Sequence, residues 1–324
     1  MPLSLYGRLR VTLYFGWMNT LLWLWKATKG PYPRRGFLPP DADITPTITG
    51  LTVQSSKDPN RKVKINVFYP PGRRPGDGGE KLPMYLNVHG SGYCFEVFPT
   101  EAEIAAYIAL KAHCIVVDTD YAKAPRHPFP AAYNDVSDVA RYILSSPYPD
   151  WDLSRLAIGG ASSGGSIALA VAVHQPKGTF TSVVTLYPGS NVGTVSDEES
   201  ERARKIPKGC PGHPLGLWQR TRMIEAYTMN VTDMTDPRLS PYFAPADAFP
   251  PVTIVGGDCD PLLPSIQALA KKLREAGNDY DEMIVEDAGH GWERLITPGD
   301  KKWEKLREEA MGYYVSRLRK SWDA

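Results

Sequence analysis

The sequence has little cysteine, and what it has forms no pattern. Cys94, Cys114, Cys210 and Cys259 fit no zinc spacing, and the six histidines are scattered. Neither a structural metal nor a disulfide scaffold is expected. An excess of charge of one sign is also missing: 37 Lys and Arg against 36 Asp and Glu leave a formal net charge of +1. That balance offers no electrostatic footprint for nucleic acid or acidic lipid and points to a small or neutral partner. Internal repeats and low-complexity runs are absent, which excludes a solenoid. A run long enough for a confident membrane span is missing too. VTLYFGWMNTLLWLW, 11–25, is very apolar and follows Arg8 and Arg10, but it is short and contains Thr12, Asn19 and Thr20. No clear small-residue cleavage site follows it. The expectation is a helix covering the body or the mouth of a site, with a membrane-surface helix and a cleaved signal as the alternatives, and a cytoplasmic location. The triplet Asn230-Val231-Thr232 says little without a secretory signal.

What is present is a core. A chain of 324 residues with 42% hydrophobic content can bury a sizeable interior. Strand-like runs are spread along most of it: 62–69, 84–89, 114–121, 156–160, 182–188, 252–257 and 281–286. Helical spacing falls between them at 101–112, 134–146, 166–175 and 265–277, with Gly277 as a C-cap, and again at 301–320. This alternation predicts one α/β unit, a mostly parallel sheet with helices on both faces. Residues 31–50, rich in proline and glycine, read as an irregular connection. Residues 190–248 break the rhythm and read as an insertion over the C-terminal edge of the sheet, where open α/β sheets bind ligands.

One stretch carries chemistry. IGGASSGG, 158–165, runs from a strand into a helix. Strand, Gly-x-Ser-x-Gly, helix is the order of a nucleophile elbow. Only Ser162 has glycine two positions before and two after, Gly160 and Gly164. A phosphate loop is the weaker reading, because no Gly-Lys-Ser/Thr follows. A turn used only for packing is the third. A serine nucleophile needs a base, and His290 follows the last strand. The base needs a carboxylate, and Asp258 and Asp260 both follow the strand at 252–257. The tetrahedral oxygen needs donors, and NVHGSGY, 87–93, offers successive N–H groups in a glycine-rich turn. His89 could brace that loop by hydrogen bonding or simply fill core.

These segments resemble the hormone-sensitive-lipase branch of the α/β-hydrolases, which includes microbial carboxylesterases and arylacetamide-deacetylase-like enzymes. The resemblance spans about residues 83 to 320. It rests on His89-Gly90-Ser91-Gly92 for the oxyanion loop, YAKAPRHPFPA at 121–131, GASSGG at 160–165, LSPYFA at 239–244, Asp260-Pro261-Leu262 and His290. It implies an α/β-hydrolase fold with a helical cap. It selects Asp260 over Asp258 as the acid and makes Ser91, Gly92 and Ser163 the oxyanion donors, with His89 and Gly90 supporting the loop. It also places N-terminal helices in the cap, which divides the chain into a cap segment at 1–50 and a catalytic domain at 51–324 with a cap insertion at about 190–248. Three positions depart from the family pattern: Ser91 replaces a glycine, Ala161 an aspartate and Arg126 a glutamate.

The expected activity is hydrolysis of small to medium, apolar or aromatic carboxylic esters through an acyl-enzyme, without cofactor or metal. The same triad would serve an amidase or deacetylase, a lactonase or an acyl-transferring enzyme. A hydrolase-fold protein that only binds a small ligand is the non-catalytic alternative. The expected partner is a small-molecule ester and not nucleic acid, with weak membrane-surface contact through the N-terminal helix and homo-oligomer formation left open.

Overall fold

Eight strands come together in one sheet. The structure, a computed structural model, describes residues 2–30, 33–145, 148–192, 197–204, 210–212 and 215–323. The strands are β1 (Ile48–Gln54), β2 (Lys62–Phe68), β3 (Leu82–Val88), β4 (Ile115–Thr119), β5 (Trp151–Ala161), β6 (Val183–Leu186), β7 (Val252–Gly257) and β8 (Tyr280–Val285). Their spatial order is β1-β2-β4-β3-β5-β6-β7-β8. The pairs β1–β2 and β2–β4 are antiparallel and all later pairs are parallel. β3 and β4 are buried at every position, as expected of strands covered on both faces.

The helices flanking the sheet are α2 (Ala102–Ala112), α3 (Ala131–Leu144), α4 (Ser163–Ala172), α7 (Leu263–Glu275) and α8 (Lys301–Trp322). α2 packs with α8 and α3 with α4. All ten residues of α4 are buried, so its apolar sequence matches its place under the sheet's C-terminal end. Gly277, with φ +75°, follows the end of α7, and its N–H donates to the Arg274 carbonyl.

The elements depart from the sequence reading at several boundaries, the following four among them. β1 lies partly within the expected irregular stretch. It is an edge strand, mostly half-exposed or exposed, so it lacks the apolar alternation that marks a covered strand. β5 starts at Trp151, five residues early. β4 stops at Thr119, because Asp120 and Tyr121 leave the sheet to bond a neighbouring loop. α4 begins at Ser163 and not at 166, taking two glycines into its first turn. Glycine lowers helix propensity, but the backbones here are too close for a side chain. A Cβ on Gly164 would lie 2.0 Å from the Val88 carbonyl oxygen, and one on Gly160 equally near it. Residue 146, expected at the end of α3, lies outside the described residues.

The apolar N-terminal run forms α1 (Leu5–Lys29). Ser4 caps it by accepting the Gly7 N–H at 3.2 Å. Its inner side buries Val11 and Phe15. Asn19 bridges the backbone of the next layer, donating to the Cys94 carbonyl at 2.9 Å and accepting the Glu96 N–H at 2.9 Å. The insertion supplies α5 (Asp197–Arg204) and α6 (Leu217–Tyr227); residues 193–196, 205–209 and 213–214 of it lie outside the described set. α1 rests on α6 through Arg10–Glu225 at 3.1 Å and an edge-on Tyr14–Trp218 contact at 5.1 Å. The opposite side of α1 is exposed and also apolar, with Leu9, Leu13 and Trp17 all more than half exposed. No helix among the described residues is long and apolar enough to cross a membrane.

Candidate active site

β5 ends in a turn that holds Ser162 at φ +53° and ψ −124°, a conformation non-glycine residues rarely adopt. The Ser162 N–H donates to the Leu186 carbonyl at 2.9 Å. With β5 on one side and α4 on the other, the hydroxyl is displayed above the sheet. His290 arrives from the loop after β8 and Asp260 from the loop after β7. His290 Nε2 lies 2.8 Å from Ser162 Oγ, and Nδ1 lies 2.8 Å from Asp260 Oδ2. Asp260 is fully buried, and its other oxygen accepts the Leu262 N–H at 2.8 Å. Both carboxylate oxygens are therefore engaged, and the imidazole is held from one side. It is the Asp260 carboxylate, and not that of Asp258, that meets His290; the backbone carbonyls of both accept from the Arg202 guanidinium.

The loop at 88–92 lies against this turn. The Gly90 N–H donates to Glu101 Oε1 at 3.0 Å, and Glu101 pairs with the half-buried Arg294. Tyr121 Oη donates to the His89 carbonyl at 2.9 Å and lies 2.7 Å from Ser91 Oγ. The Ser91 side chain thus turns away from the site. Its N–H donates to Ser163 Oγ at 2.9 Å. The three expected oxyanion donors therefore differ. The N–H groups of Gly92 and Ser163 have no partner among the described residues, whereas that of Ser91 is already engaged. Ser163 also opens α4, so the positive end of that helix adds to its own N–H.

His89 is fully buried and stacks on Tyr121 with ring centroids 4.6 Å apart. Nδ1 lies 3.3 Å from the Gly90 carbonyl and Nε2 3.3 Å from Asp120 Oδ1. Lys123 Nζ completes the group 2.6 Å from the same Asp120 oxygen. Burial works to raise the Asp120 carboxyl pKa, but the Lys123 ammonium and the His89 ring outweigh it and hold the group well below the usual carboxylate range. Sequence reading assigned no role to Glu101, Asp120, Lys123 or Arg294. Tyr121 stood in a quoted motif without one. The other departures from the family pattern are quiet: Ala161 is buried and Arg126 exposed.

Two spaces meet at Ser162. An outer cleft of about 530 Å³ is bounded by His290, the 90–92 turn, Arg294 and, from α1, Met18, Leu21, Leu22 and Trp25. An inner pocket of about 50 Å³ extends toward α6 and includes Tyr93, Val192, Met223 and Leu262. Cys259, beside Asp260, has its sulfur 2.7 Å from that of Cys210. Nothing in the spacing of the four cysteines marks this proximity.

Residues 85–294 match the family described as alpha/beta hydrolase fold. The chain is 32% identical over 246 residues to the carboxylesterase NlhH of Mycobacterium tuberculosis, covering 73% of each protein. It is 29% identical over 263 residues to an AB hydrolase superfamily protein of Schizosaccharomyces pombe, covering 74% of each. In structure it is similar to LAE6, an alpha/beta hydrolase enzyme from the metagenome of Lake Arreo, with a TM-score of 0.68, 25% identity and coverage of 93% of this chain and 97% of that one.

The group beneath the 88–92 loop makes a pH-dependent prediction. A carboxyl held low in the fold stabilises it above about pH 4, the unfolded value, and that stabilisation is lost as pH falls through this range toward the folded value. Asp120→Asn cannot titrate. The stability gap between wild type and Asp120→Asn, from urea midpoints, is expected to be wide at pH 7 and to narrow at pH 3. The variant is also expected to lose turnover number more than apparent affinity, by about tenfold, because the loop it braces acts on the transition state. A gap that does not change with pH contradicts this account.

Proposed function

The chain belongs to the alpha/beta hydrolase fold family, and from that premise we propose that it is a serine carboxylic-ester hydrolase working through an acyl-enzyme. The observation that carries the proposal is the unbroken hydrogen-bonded line from Ser162 through His290 to Asp260, 2.8 Å at each step. His290 takes the Ser162 proton as Oγ attacks the ester carbonyl, and Asp260 fixes the ring and stabilises the imidazolium. The N–H groups of Gly92 and Ser163 receive the oxyanion. Ser91 would join them as a third donor once its bond to Ser163 Oγ yields. His290 then returns the proton to the leaving alcohol, and later activates the water that releases the acid.

Within the family we assign the chain to the hormone-sensitive-lipase branch. Support comes from the His89-Gly90-Ser91-Gly92 loop, the 121–131 segment and an N-terminal helix at the rim of the cleft. On this reading residues 1–50 and about 190–248 form a cap over a catalytic domain. The cleft and pocket linings are mostly apolar, which fits small to medium, apolar or aromatic esters.

We keep a cytoplasmic location and propose that α1 touches a lipid surface. A helix apolar on all sides normally needs cover on all sides, and α1 is covered on one. The first 40 residues hold six Lys or Arg and no Asp or Glu, although the whole chain is near neutral; this suits an anionic leaflet. Sedimentation with phosphatidylserine vesicles is expected to carry the chain down at low salt, and Leu13→Gln with Trp17→Gln to weaken this severalfold. A dimer that these changes dissociate, with no vesicle binding, would assign the face to a second copy instead.

The serines separate by role. On a short aryl ester, Ser162→Ala is expected to lose about four orders of magnitude or more in turnover, and Ser163→Ala to stay within a few fold, since alanine retains the oxyanion N–H and loss of the hydroxyl frees the Ser91 N–H to join it. Long-chain triglyceride is expected to be a poor substrate. Activity that survives in Ser162→Ala and vanishes in Ser163→Ala contradicts the assignment.

A further inference from the structure

The inner pocket is mostly apolar, and besides the serines and Tyr93 its lining residues carry two unsatisfied polar atoms. Arg220, in the first turn of α6, lines it and is 5% exposed. Its Nη2 pairs with Glu199 Oε2 of α5 at 2.9 Å. Its Nη1 is buried with no hydrogen-bond partner, and so is Oδ1 of Asn191, which lines the same pocket. A buried donor or acceptor left unpaired costs free energy that a ligand atom can recover. Glu199 already supplies a countercharge, so the guanidinium lacks an acceptor and not an anion.

Geometry decides which half of an ester enters. His290 borders the outer cleft and is absent from the inner pocket. It protonates the alcohol oxygen, so the alcohol lies outside and the acyl group inside. At about 50 Å³ the pocket holds roughly four water-sized groups, which limits the acyl chain to a few heavy atoms.

We infer that this pocket selects short acyl groups carrying an oxygen near their far end, a hydroxyl above a ketone and both above plain alkyl. This rests on the ester-hydrolase reading. A hydroxyl accepts from Arg220 Nη1 and donates to Asn191 Oδ1. A ketone only accepts. A methylene does neither and leaves both atoms orphaned. Arg220 and Asn191 are specificity-determining residues that act on the acyl group at a distance from the reacting atoms.

The test compares ethyl 3-hydroxybutyrate, ethyl acetoacetate and ethyl butyrate, equal in carbon count, by titration of released acid. Ratios of kcat/KM between esters, compared across variants, cancel their intrinsic reactivity. The hydroxy ester is expected to lead butyrate by about tenfold. Arg220→Met combined with Glu199→Gln, which removes both charges of the pair, is expected to bring that ratio toward one. Asn191→Leu is expected to lower the hydroxy preference while sparing the ketone. Calorimetry on Ser162→Ala with the same esters reads the preference without chemistry. Hydrolysis without discrimination overturns this inference alone. Hydrolysis of none of the three overturns the esterase reading, and the calorimetric ranking then decides for the pocket, equal binding overturning it.

Discussion

The turn at Ser162 is a constraint of space before it is a site of chemistry. The turn joining β5 to α4 lies so close to the end of β3 that a Cβ at 160 or 164 would fall 2.0 Å from the Val88 carbonyl oxygen. Within that turn Ser162 adopts a positive φ, at a cost of order 1–3 kcal/mol for a residue with a side chain. The surrounding sheet over-determines the turn: the Ser162 N–H is taken by Leu186, and α4 beyond is wholly buried. Because the hydroxyl can point only outward, and because the free N–H of Ser163 opens a helix, nucleophile and anion site share one rigid corner. His290 and Asp260 need only be delivered to it by loops from β8 and β7.

The second half of the site is the 88–92 loop, which has no such corner and is held by polar contacts instead. Glu101 takes the Gly90 N–H, Tyr121 reaches the His89 carbonyl, and His89 itself sits on the Asp120–Lys123 pair. Buried charges of this kind are tolerable only when paired, and Glu101 with Arg294 and Asp120 with Lys123 are paired. The serine in place of glycine at 91 fits this scheme. Its hydroxyl joins Tyr121, and its N–H bonds the hydroxyl of Ser163, so the two halves are tied directly across the site.

Short-range patterns made much of this legible. The elbow around Ser162 is read from glycines two positions either side, and β3, β4 and β7 from short, mostly apolar runs, because burial on both faces writes itself into sequence. The likeness that chose Asp260 over Asp258 came from the Asp-Pro-Leu string and not from spacing, since both acids follow one strand. What stayed hidden depends on contacts between distant residues. β1 is too exposed to alternate. Glu101 and Arg294 lie 193 positions apart, and Arg220 appears as an ordinary helical cation until α5 and Asn191 surround it. The apolar segment at 11–25 calls for cover. Nothing in its composition told which side the body would take, or that the other would remain exposed.

The central claim is that Ser162 becomes covalently acylated during turnover. The most direct measurement is intact-protein mass after rapid acid quench of the enzyme with 4-nitrophenyl acetate, followed by peptide mapping. The account predicts a single added acetyl group on the peptide carrying Ser162 and its absence in His290→Ala, where no base activates the hydroxyl. Turnover without any adduct at Ser162, or an adduct confined to another residue, would contradict it.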